Sequence, residues 1–207
     1  MALGTVIRAW GTPGPTPLGL AFDGRTLWLA DFTRDKIYQI DPATGRVIRS
    51  FASPAAEPLG LTFDGRWLWC SENTGARIHQ IDPETGTPIR SFAAPGGDLQ
   101  GLAFDGRTLW HMRYTVNLIY QIDPATGTPI RSFKAPGIKG RGLTFDGRTL
   151  WHCDETADLF YQIDPVTGRV IRSAATPGGS PYGLAFDGRT LWHTDFGTTG
   201  LYQIDIG

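Results

Sequence analysis

Gly19-Leu20-Ala21-Phe22-Asp23-Gly24-Arg25-Thr26-Leu27-Trp28 is a stretch that this chain writes five times, with near-copies beginning at Gly60, Gly101, Gly142 and Gly183. The spacing is 41 residues at every step, and no insertion or deletion interrupts it. A fixed period of this length marks a repeat architecture, so residues 1–207 are expected to form one closed array.

Each copy divides into four short segments rich in strand-forming residues and separated by turn signals. In the first copy they are residues 19–22, 25–30, 36–41 and 46–51. Asp23-Gly24 predicts a tight type I′ hairpin between the first two. Asp41-Pro42-Ala43-Thr44-Gly45 predicts a second turn, in which proline presets φ, the Asp and Thr side chains bond local backbone, and Gly45 takes a left-handed conformation. No segment carries a helical period over ten or more residues. The expected fold is therefore all-β, a five-bladed β-propeller of four-stranded, 41-residue blades. The blades are placed at 19–51, 60–92, 101–133, 142–174 and 183–206.

The termini suggest how the ring closes. The fifth copy runs out at Tyr202-Gln203-Ile204-Asp205-Ile206-Gly207 with only three strands. Gly4-Thr5-Val6-Ile7-Arg8-Ala9-Trp10 aligns with Gly45-Arg46-Val47-Ile48-Arg49-Ser50-Phe51, so residues 4–10 are expected to supply the missing fourth strand and hide an open edge.

Composition narrows the function classes. The chain is 41% hydrophobic and 12% aromatic, with a formal net charge of -1. That charge offers no basis for nucleic acid or an anionic membrane as partner. No run reaches the roughly 18 apolar residues of a membrane span, and Met1-Ala2-Leu3-Gly4 lacks the pattern of a secretion signal. The expectation is a monomer that is cytoplasmic or a soluble recombinant protein. Cys70 and Cys153 fall at different offsets in non-adjacent copies, which argues against a disulfide.

Because the chain contains its own copies, their differences locate a candidate site. The Asp-Gly and Asp-Pro turns scarcely change, and both lie on one face of a propeller. Variation falls on the opposite face, in the loops after the second strand and in the residues just ahead of the first: Leu18, Leu59, Gln100, Arg141 and Tyr182. These last five should surround the mouth of the central channel. Gln100, Arg113, Tyr114, Arg141 and Tyr182 are the candidate ligand-binding residues, for a small molecule, ion or peptide.

Asp31, Glu72, Asp154 and Asp195 share one offset in four blades, with Arg113 in the third. Two readings stay open. Facing the channel, the acids would make a broken ring for a divalent cation or a cationic ligand. As strand-terminal acids, they would cap the next turn through its backbone. His111, His152 and His193 follow the Trp in three blades, but equivalent atoms of adjacent second strands stand about 12 Å apart given a strand spacing of about 4.8 Å, too far to share one zinc ion. Packing is expected for them, and for His79. Trp28, Trp69, Trp110, Trp151 and Trp192, with Phe22 and its equivalents, should pack between blades.

The repeat G-L-[AT]-F-D-G-R-x-L-W, then I-x-Q-I-D-P-x-T-G, then I-R-S-F, resembles the blades of streptogramin lyases (virginiamycin B lyase) and of NHL-type propellers. Those lyases have seven blades where five are counted here. A fainter resemblance, on Leu99-Gln100-Gly101-Leu102 and Glu72-Asn73-Thr74-Gly75, is to five-bladed glutaminyl cyclases. The lyase resemblance implies, as an alternative, metal-assisted lyase or hydrolase chemistry around the channel mouth. The near-identity of the copies suits instead a recently amplified or designed non-catalytic scaffold with a binding rim, since a catalytic centre requires asymmetry.

Overall fold

The computed structural model describes residues 4–207; the reading of Met1-Ala2-Leu3 falls outside them. After β1 (Val6–Gly11), the first blade comprises β2 (Pro17–Phe22), β3 (Leu27–Asp31), β4 (Lys36–Ile40) and β5 (Val47–Ala52). The second is β6 (Pro58–Phe63), β7 (Leu68–Glu72), β8 (Arg77–Ile81) and β9 (Pro88–Ala93). The third is β10 (Leu99–Phe104), β11 (Leu109–Arg113), β12 (Leu118–Ile122) and β13 (Pro129–Lys134). The fourth is β14 (Gly140–Phe145), β15 (Leu150–Asp154), β16 (Leu159–Ile163) and β17 (Val170–Ala175). The fifth joins β18 (Pro181–Phe186), β19 (Leu191–Asp195) and β20 (Gly200–Ile204) to β1, in the order β1-β20-β19-β18. Val6 opposes Ile204 and Trp10 opposes Leu201, so the amino-terminal strand does close the ring, over residues 6–11 and not 4–10.

One local expectation is corrected. The first hairpin has positive φ only at Gly24 (92°), the sign pattern of a type II′ turn and not type I′. Asp23 holds it by accepting the Arg25 and Thr26 backbone N–H groups at 2.8 and 2.6 Å, which also delays β3 to Leu27. Phe22, Phe63, Phe104, Phe145 and Phe186 pack, half-buried, against the clusters between blades as expected, and they gather around the lower mouth of the channel, at the end that carries the Asp-Gly turns.

In the first blade the recurring letters form one hydrogen-bonded chain, which in the second blade lacks its hydroxyl because Trp67 stands at the offset of Thr26. Trp28 Nε1 and Thr26 Oγ1 donate to Asp23 Oδ2 at 2.8 and 2.6 Å. Gln39 Nε2 donates to Thr26 Oγ1 at 2.9 Å, and Arg49 Nε donates to Gln39 Oε1 at 2.7 Å. Arg49 then crosses to the next blade, donating to the Pro83 and Glu84 carbonyls at 2.9 and 2.7 Å. Its guanidinium also lies 5.5 Å from the Trp28 ring centroid, and Phe51 stands 5.7 Å from the same ring. Burial alone would raise the Asp23 carboxyl pKa, but the donors from Thr26, Trp28 and Arg25 outweigh it and hold the group below its ordinary value.

Near the axis the inner strands touch. A Cβ on Gly19 would stand 2.1 Å from Leu59 O, and one on Gly142 would stand 2.1 Å from Tyr182 O, so only glycine permits this approach. Three blades add a side-chain bridge here. Ser71 Oγ accepts from Gly60 N and donates to Gln100 O; Cys153 Sγ and Thr194 Oγ1 do the same two and three blades on. Cys70 and Cys153 are free and buried, and burial pushes both thiols up to about 12.

His111, His152 and His193 are fully buried and stack on Tyr120, Tyr161 and Tyr202, with ring centroids 5.2, 6.3 and 5.0 Å apart. Burial lowers each imidazole pKa to about 4. Both ring nitrogens of His111 lack a well-formed hydrogen bond.

Two measurements follow from this packing. Trp110→Ala should cost about 3–5 kcal/mol in urea unfolding, and a loss below about 1 kcal/mol would show that this ring is not core. The three histidines stay neutral in the fold but protonate near 6.5 when unfolded. Their contribution is therefore complete above that pH and is lost as pH falls toward 4, at up to roughly 4 kcal/mol per pH unit for three protons. His111→Phe should flatten that slope by about a third; a wild-type stability constant between pH 7 and 5 would contradict the assignment.

Candidate functional site

The channel itself is closed to ligands. Five strands bring Leu20, Leu61, Leu102, Leu143 and Leu184 together on the axis, leaving a void of about 10 Å³, no more than one water needs. Any ligand must sit at an end. The upper end, where the variable loops emerge, opens into a basin of about 310 Å³ lined by Leu18, Leu59, Gln100, Arg141, Tyr182 and, from the loops above, Thr16, Phe32, Asn73 and Phe196.

The residues ahead of each first strand are thus brought to one mouth, though their chemistry is unequal around it. Blades one and two supply Leu18, Leu59 and Phe32. Blades three to five supply Gln100, Arg141 and Tyr182. Arg141 is the most constrained of these. Its guanidinium lies 4.1 Å from the Tyr114 ring centroid and 4.5 Å from that of Tyr182, held between two aromatic rings. Glu155 Oε2 accepts from its Nε at 3.0 Å and from its Nη2 at 2.6 Å. Among the described residues neither Arg141 Nη1 nor the Gln100 amide has a hydrogen-bond partner. Tyr182 also packs on Phe196, with centroids 5.8 Å apart, and burial pushes its phenol above the ordinary value.

Of the expected ligand-binding residues, Gln100, Arg141 and Tyr182 meet in the basin. Tyr114 reaches it only through Arg141. Arg113 does not line it. Glu155, Thr16, Phe32, Asn73 and Phe196 were not singled out from the sequence. The aromatic residues had a signal, since Phe32 and Phe196 occupy the same offset in two loops. Glu155 had none, because its pairing with Arg141 depends on how β14 and the loop after β15 face each other.

The acids do not converge. Asp31 accepts Thr16 N at 3.1 Å and Arg34 N at 2.8 Å. Asp154 accepts four backbone N–H groups, from residues 138, 139, 156 and 157, and Asp195 accepts those of Ser180 and Thr198. Glu72 accepts Gly75 N and Arg77 N, with His79 Nε2 at 3.7 Å. Each carboxylate caps the loops of its own blade. Among the described residues no group of three or more His, Cys, Asp or Glu is placed to hold a metal ion.

No protein-family model matches the chain, and no curated protein matches it by sequence. Solved structures do. The fold is similar to that of Myxococcus xanthus glutaminyl cyclase, with TM-score 0.82 and 14% identity over 98% of this chain and 97% of that one. It is similar to virginiamycin B lyase from Staphylococcus aureus, with TM-score 0.57 and 21% identity over 92% of this chain; the chain spans 66% of the lyase. It is also similar to a chain of a nidogen/laminin complex, with TM-score 0.68 and 19% identity, covering 92% and 76%. At these identities the shared property is the propeller fold.

Proposed function

We propose that the protein is a binding propeller whose upper basin takes a small molecule, or one residue of a peptide, by its planar apolar group and an attached carbonyl or carboxylate. The observation that carries this reading is the posture of Arg141. Two tyrosine rings and Glu155 fix its guanidinium, while Nη1 and the nearby Gln100 amide are left with donors to offer. A preorganised donor loses little conformational entropy on binding. Phe32, Phe196, Leu18 and Leu59 supply the apolar part, and about 310 Å³ suits a compact ligand.

The lining favours binding over bond-breaking. Burial pushes the Tyr182 phenol above its ordinary value, away from the range in which a general acid or base works near neutral pH.

Saturation-transfer NMR with benzoate, benzamide and benzylammonium tests the reading. The first two should bind and the cation should not. Arg141→Gln should weaken benzoate about tenfold or more, the scale of one charge-assisted hydrogen bond. Phe196→Ala should weaken all aromatic probes alike. Binding that ignores both substitutions, or that accepts the cation equally, would overturn it.

A further inference from the structure

In three blades the chain shows what its upper loops are built to hold. The loop that leads into the first strand and the loop that follows the second both aim backbone N–H groups at one point, and a carboxylate stands there: Asp31, Asp154 or Asp195. The recurring donors are Thr16, Lys139 and Ser180 on one side and Arg34, Ala157 and Thr198 on the other. Successive N–H groups converging in this way make an anion nest.

The third blade keeps the loops and lacks the anion. Its equivalent donors are the N–H groups of Asp98 and Val116, and Arg113 occupies the offset of the acid. A Cβ on Gly96 would stand 2.7 Å from Arg113 Nη1, just as one on Gly178 would stand 2.4 Å from Asp195 Oδ2. The guanidinium therefore lies where the other blades place their carboxylates. Donors face donors.

Nothing among the described residues relieves that arrangement. Arg113 Nε is buried without a partner, and among the described residues the guanidinium makes no hydrogen bond or ion pair. Neither the Asp98 nor the Val116 N–H has an acceptor among the described residues. The second blade solves a related shortage by borrowing: Glu57 N donates to Asp35 Oδ1 of the first blade at 2.7 Å. One blade on, Ala76 stands at the offset of Asp35 and offers no side-chain oxygen. Gly96 and Asp98 are exposed and Arg113 is half-buried, so the point is reachable from solvent.

From this we infer that the upper rim of the third blade is a site for a carboxylate brought from outside the chain, bound by the Arg113 guanidinium and the N–H groups of Asp98 and Val116. An external carboxylate would take the place of the missing aspartate and turn opposed donors into charge-assisted hydrogen bonds. Arg113 lies outside the lining of the upper basin, so this site is independent of what the basin binds.

Nitrogen-15 NMR titration of the full chain tests it, with sodium acetate against sodium chloride at matched ionic strength. Acetate should move the Asp98 and Val116 amide signals saturably and chloride should not. Arg113→Asp supplies the internal carboxylate of the other blades. It should abolish the acetate response and raise Tm by roughly 2–4 °C, the shift that about 1 kcal/mol produces in a chain of this size. A second probe, the peptide Ac-Gly-Asp-Gly-NH2 with its Asn counterpart as control, separates the sources. Tighter binding than acetate points to an acidic side chain on a partner, and equal binding points to a free small carboxylate. The inference fails if acetate acts no differently from chloride, or if Arg113→Asp still responds to it.

Discussion

The ring depends on a carboxylate at the foot of each blade. Asp23 and its four equivalents accept the indole N–H of the Trp five residues on, at 2.8 or 2.9 Å, and this bond joins local turn to blade packing. A buried indole without an acceptor would forfeit much of what its burial contributes. With the acceptor in place, Trp28 can sit fully buried against Leu61, Leu68 and Ile81 of the next blade. The same aspartate orders its hairpin and starts the Thr-Gln-Arg chain that grips the next blade. One residue type therefore serves the turn, the core and the contact between blades, which is why the letters of this stretch vary so little.

The grip is uneven around the ring. Arg49, Arg90 and Arg131 each reach two carbonyls of the following Asp-Pro turn. Arg172 stops at Gln162, because the fifth blade carries Asp205-Ile206-Gly207 where the others carry the Pro-containing turn. Arg8 reaches Pro42 O at 3.3 Å but leaves Gln203 Oε1 without a donor. The fifth blade, built from both termini, is thus held less by this network than by the β1 to β20 ladder and by the glycine contact of Gly183 with Leu18 on the axis.

Much of this was legible in the sequence because symmetry multiplies signal. One Asp-Gly is a weak hint, whereas five at constant spacing fix the order and number of strands. What escaped was whatever depends on contact between copies. Gly19 reads as a strand residue of no particular merit until the ring closes and its missing Cβ admits Leu59 O. The hairpin reads as type I′ by composition, yet Arg25 keeps its ordinary φ and Gly24 alone takes the positive one. At the upper mouth the positions of Gln100, Arg141 and Tyr182 were readable from their offset. The clasp of Arg141 by Tyr114, Tyr182 and Glu155 was not, because it joins residues of three blades.

The two ends of the channel show how function and fold divide the same strands. Each inner strand begins at the upper mouth and finishes at the lower one, only a few residues away. At the lower end all five finish in Phe, beside the aspartate on which packing depends, so any change there would be felt by a core ring. At the upper end the residue before the axial glycine touches the preceding blade through its backbone carbonyl, as Gln100 O and Tyr182 O do in accepting from Ser71 and Cys153. A carbonyl is common to every residue, so this contact does not dictate which side chain stands at that position. Leu18, Leu59, Gln100, Arg141 and Tyr182 can therefore differ while keeping that carbonyl contact, and their separation into an apolar and a polar half is the asymmetry that a symmetric scaffold needs before it can orient a ligand.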